Sequence, residues 1–104
     1  MVNPLAGEVT VTVDGVPHRC KLTLGALAEM EAAIGAESLV DLVARFETGK
    51  FSSRDVMALV VAGLRGGGWD GSAADLLRAD IEGGAVGAAQ AAATLLVRAF
   101  SPPS

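Results

Sequence analysis

The sequence predicts an α+β fold, an N-terminal antiparallel β-hairpin packed on a small bundle of about five short α-helices. Three observations carry this. Residues 8–23 alternate in polarity around an Asp-Gly pair, the pattern after Thr23 changes to a helical period, and serines followed three residues on by an acid recur along the rest of the chain.

The hairpin is specified in detail. Val9, Val11 and Val13 alternate with Glu8, Thr10 and Thr12, and Asp14-Gly15 is a strong signal for a two-residue turn. That turn pairs Val13 with Val16, Val11 with His18 and Val9 with Cys20, giving an apolar face that Leu22 extends. The other face pairs Thr12 with Pro17, Thr10 with Arg19 and Glu8 with Lys21, opposite charges across the strands. Pro17 then lacks an N–H on the outer edge of its strand, so that edge is expected to be free or covered by something other than a strand.

The first helix is expected over about 24–34, with Leu24, Leu27, Met30 and Ile34 on one stripe and Gly35 as its stop. Ser38 with Asp41, Ser52 with Asp55, and Ser72 with Asp75 each read as an N-cap serine with an acid in the first turn. Helices follow at about 39–47, 53–64, 73–81 and 86–100. The third is apolar around much of its circumference (Val56, Met57, Leu59, Val60, Val61, Leu64) and is expected to be central. The hairpin's apolar face is expected to lie on the first and third helices. Residues 101–104 (Ser-Pro-Pro-Ser) are expected to be loose, and no linker divides the chain, so residues 1–104 read as one domain.

Composition narrows the function. A formal net charge of −4, with eight basic residues scattered singly, argues against a nucleic-acid module. The N-terminus has no basic region followed by an apolar core, and the longest uncharged run is shorter than the roughly 20 apolar residues of a membrane span. A soluble, cytoplasmic protein is expected. Cys20 is the only cysteine and His18 the only histidine, and there is no tyrosine, so nucleophiles and proton shuttles are scarce.

Each possible chemical site has a plainer explanation. His18 and Cys20 share a strand face but lack the further ligands of a structural zinc site, so they read as a half-buried His beside a core Cys. Gly66, Gly67 and Gly68 resemble a phosphate cradle, yet the Lys and Ser/Thr of a P-loop are missing and no strand precedes them, leaving a mobile helix connector with Arg65 beside it. Glu29, Glu31, Glu37, Asp41 and Glu47 belong to helix starts and solvent faces. No catalytic residue, cofactor or metal is expected. Trp69 either folds back on the core or anchors a partner.

The order of the pieces resembles a known family. NPLAGEV (3–9), the valine-rich strand, the Asp14-Gly15 turn, LTLGALAEMEAAIG (22–35), SLVDLVARFETGKFSSRDVMALVVAGLRGGG (38–68) and AATLLVRAF (92–100) are similar to the small tail proteins of gene transfer agents and related prophages. The resemblance runs from Asn3 to Phe100. It departs from the pattern at the triple glycine before Trp69 and at the short SPPS tail.

The resemblance implies a non-enzymatic role in tail morphogenesis, either a tail assembly chaperone that keeps the tape-measure protein soluble or a structural component of the tail tube. The implied partners are the tape-measure protein, the tail-tube protein, or both, with a homo-oligomer also open. A small regulatory or ligand-binding domain is the competing reading, supported only by the hairpin-plus-helices layout. Excess apolar surface on the third helix makes Met57, Val61, Leu64, Arg65 and Trp69 the candidate partner-binding residues, in a groove suited to an amphipathic helix.

Overall fold

The structure is a computed structural model that describes residues 8–100; the expectation for residues 101–104 lies outside them. Strands β1 (Glu8–Val13) and β2 (Val16–Lys21) form the hairpin, followed by α1 (Leu24–Ile34), α2 (Ala36–Thr48), α3 (Ser53–Gly66), α4 (Ala73–Leu77) and α5 (Gly84–Phe100). The strand register is the expected one, from Glu8 opposite Lys21 to Val13 opposite Val16. Both turn residues have positive φ, 51° at Asp14 and 80° at Gly15, the type I′ geometry whose twist matches that of the strands.

The apolar face of the hairpin rests on α3 and α5, and α1 packs chiefly on α3 and α2. This corrects the expected pairing of the hairpin with the first and third helices. α5 supplies Ala88, Ala92, Leu95 and Leu96 to the core, and its alanines let the helix come close to Val11 and Val13. Gly63 on α3 serves the same end, since a Cβ there would stand 2.6 Å from Leu95 Cδ1. α3 is central, as expected, burying Val56, Leu59, Val60, Ala62, Gly63 and Leu64.

Helix α1 starts at a Thr23 cap whose hydroxyl accepts from the Ala26 N–H at 3.0 Å. Its buried residues are Ala26 and Met30, with Leu27 half-buried, whereas Leu24 is 87% exposed. Leu24 is the first helical residue and projects beyond the bundle. Ser52 and Ser72 form complete capping boxes with Asp55 and Asp75. The start expected at Ser38 is not where the helix opens: α2 begins at Ala36, with Gly35 alone separating it from α1.

Helix α4 is shorter than expected and ends at Leu77. Ile81, the last residue of the expected helix, instead makes an isolated bridge to Val13, where Asp14 N–H donates to Asp80 C=O and Glu82 N–H to Thr12 C=O. The turn end of β1 is thus closed by a fragment of extended chain. The outer edge of β2 is covered by the end of α3: the Cα atoms of Gly66 and Gly67 lie against the carbonyls of Lys21 and Arg19. The expected mobile connector is therefore a packing device, and only glycine permits that approach.

Candidate interaction surface

On α3 the residues sort into two stripes by helical spacing. Val56, Leu59, Val60, Gly63 and Leu64 face inward, while Arg54, Met57, Ala58, Val61 and Arg65 follow one another along an outer face at three- and four-residue steps. The outer stripe and the facing side of α1, with Ala26, Met30 and Ile34, form an apolar groove of about 330 Å³, and Ala73 stands at its border. A second groove, of about 300 Å³, lies on the other side of Met57. It is lined by Phe51, Val56, Val60, Leu76 and Ile81 and by Ala85, Ala88 and Ala89 of α5.

The five candidate residues separate accordingly. Met57, Val61 and Arg65 line the α1/α3 groove. Leu64 does not: it is 0% exposed, because it stands one and two turns beyond Val60 and Val56 on the inward stripe. Its place is the core and not the surface. Trp69 is half-buried, packs on the core and covers Gly71, outside the groove's lining.

Residues of α1 that were not among the partner-binding candidates complete the groove, namely Ala26, Met30 and Ile34. Met30 and Ile34 were read as part of the α1 stripe, whereas Ala26, buried in place of the exposed Leu24, was not, and that these residues face Val61 follows only from the tertiary packing. The second groove was not foreseen, since it depends on the early end of α4 and on Ile81 joining the strand.

Polar groups rim the α1/α3 groove. Arg65 Nε stands 3.2 Å from Glu29 Oε2, and Arg65 Nη1 donates to the Gly71 carbonyl at 3.3 Å, so one guanidinium ties the end of α3 to α1 and to the loop after Trp69. The bond from Arg65, with its charge, holds the Glu29 carboxyl below the usual range. At the opposite end Arg54 is exposed and makes no ion pair among the described residues.

Near that end a second network fixes the α2–α3 connection. Arg45 donates to both oxygens of Asp55 at 2.8 Å, and the Phe46 and Phe51 rings stack at 4.5 Å with 7° between planes. The Arg45 hydrogen bonds, helped by the Ser52 backbone N–H, hold the Asp55 carboxyl down at about 2 against partial burial.

Among the described residues, no group of three or more His, Cys, Asp or Glu side chains stands together to hold a metal ion, and no helix is long and apolar enough to cross a membrane. Cys20 is fully buried, and burial pushes its thiol up to about 11, far from the reactive thiolate range.

Fold and surface together define a small α+β domain that presents apolar grooves between packed helices. A family model described as "Phage tail tube protein, GTA-gp10" matches residues 6–102, and the chain belongs to that family, among the tail proteins of phages and gene transfer agents. No match was found among curated proteins or among solved structures.

Proposed function

We propose that the chain works in tail assembly by contact and without catalysis, holding an amphipathic helix of the tape-measure protein in the α1/α3 groove until tube subunits close round it. The observation that carries this is the half-buried apolar stripe of Met57, Ala58 and Val61, which lines one groove with Ile34 and the edge of Met30. A groove between two helices takes a third through residues spaced three and four apart, and methionines on both walls adapt to differing side chains. On this reading the chain acts in the cytoplasm of the producing cell.

Co-expression with the tape-measure protein tests it. The expected result is a soluble tape measure that co-elutes with this chain on gel filtration, and loss of the complex in Val61→Asp. An insoluble tape measure with no complex overturns the reading.

The family description favours a second reading, a structural component of the tail tube that associates with tube subunits or with its own copies. Mass spectrometry of purified particles separates the two. Stoichiometric presence in particles supports the structural reading, and absence eliminates it.

A further inference from the structure

We propose that the α1/α3 groove selects its helix by charge as well as by shape, taking an apolar stripe that ends in a carboxylate facing Arg54. The inference rests on the groove being the seat of a helix from another tail protein.

The two ends of the groove differ. Along α3 it runs from Arg54 to Arg65, about 16 Å at about 1.5 Å per residue, the length of some three helical turns. At the Arg65 end the cation is already engaged with Glu29 and with the Gly71 carbonyl. At the other end Arg54 is exposed and unpaired among the described residues, and it lies in the first turn of α3, where the backbone N–H groups add the same sign of charge. The neighbouring Asp55 does not cancel it, because both of its oxygens are held by Arg45.

The charged residues that line the groove are Arg54, Arg65 and Glu29, a local excess of one positive charge in a chain of net −4. Charges farther away than about 8 Å are largely screened at physiological salt, so a helix entering the groove meets Arg54 first. A basic residue at that end of the stripe faces a like charge, and a carboxylate gains a charge-assisted hydrogen bond.

The test uses the full chain and two designed helical peptides of about 14 residues with the same Leu/Ala stripe, one with Glu and one with Lys at the end of the stripe, read by fluorescence anisotropy. The Glu peptide is expected to bind about two- to fivefold more tightly at low salt, the range of an exposed ion pair, with the preference fading in about 0.5 M salt. Arg54→Glu is expected to reverse the order. Equal binding of both peptides by the native chain, with binding lost in Val61→Asp, overturns the charge selection and leaves the groove reading standing. Failure of both peptides to bind overturns both. A chain that sediments as an oligomer and dissociates as peptide binds places a second copy in the groove and overturns the assigned occupant.

Discussion

Arg45, in the last turn of α2, and Asp55, in the first turn of α3, meet in a two-pronged ion pair with both hydrogen bonds at 2.8 Å. The same Asp55 accepts from the Ser52 N–H at 2.9 Å and completes the capping box of α3. One carboxylate thus starts the central helix and fixes the helix before it. Phe46 and Phe51 stack on the same connection, and Phe51 forms one border of the second groove, so this pair shapes the surface as well as the fold.

Loss of the cap and loss of the carboxylate should be separable. Ser52→Ala is expected to cost about 1 kcal/mol, the usual value of an N-cap serine, and to lower Tm by several degrees. Asp55→Asn keeps the serine cap, which accepts from the backbone N–H of residue 55, but removes the two-pronged ion pair and should lower Tm further. A carboxyl held at about 2 in the folded chain against an ordinary 3.8 adds stability above its unfolded value and loses it as pH falls toward the folded one. Native stability should therefore decline between about pH 4 and pH 2. Chemical denaturation across that window checks it, and Asp55→Asn should show a shallower decline.

Gly66 gives a sharper test because two effects oppose each other. It is the last residue of α3, where the preference for alanine over glycine is at most the about 1 kcal/mol of a helix interior. A Cβ at Gly66 would overlap the Lys21 carbonyl, and one at Gly67 the Arg19 carbonyl, both backbone atoms that cannot rotate away. Gly66→Ala and Gly67→Ala are expected to destabilise the fold by about 1–3 kcal/mol, the scale of overpacking. Denaturant midpoints that rise for Gly66→Ala would show propensity winning and the helix end standing clear of the strand.

What was legible in the sequence was what local chemistry determines. Asp14-Gly15 between alternating valines set the register of the hairpin, and Ser52 and Ser72 marked two helix starts because the acid three residues on completes the box. The same signal at Ser38 did not mark the start of α2, which opens at Ala36 directly after Gly35. Leu24 and Ile81 were placed by period, yet the end of a helix and a bridge to Val13 decided their positions. The glycine run of residues 66–68 has a function that only the neighbouring strand reveals. Of the candidate surface, α3's outer stripe was half legible: Met57, Val61 and Arg65 belong to it, while Leu64 differs by the 60° of helical rotation that turns Val61's neighbour inward.

Cys20 offers a measure of global opening. Its thiol is fully buried, its pKa is pushed up to about 11 by that burial, and its Sγ lies 3.8 Å from the His18 carbonyl as donor. Reaction with a thiol reagent at neutral pH is expected to occur only at the rate at which the chain unfolds. A thiol group that titrates higher in the folded chain than in the unfolded one favours the folded state below about pH 9, and that contribution disappears as pH rises from about 9 to 11. Rapid labelling under native conditions would contradict the packing of the hairpin on α3.

Leu64 and Val61 sit three residues apart on one helix and should fail in different ways. Leu64→Ala empties a fully enclosed site and is expected to cost about 2–5 kcal/mol, with any loss of binding following from unfolding. Val61 is half-buried on the wall of a groove, so Val61→Asp is expected to keep the circular dichroism spectrum and to cost clearly less stability than Leu64→Ala, because the new carboxylate can turn toward water. Its main effect should fall on partner binding. Equal losses of stability in the two variants would mean that Val61 belongs to the core and that α3 has no free face; a stable Val61→Asp that no longer binds assigns the groove its contact function.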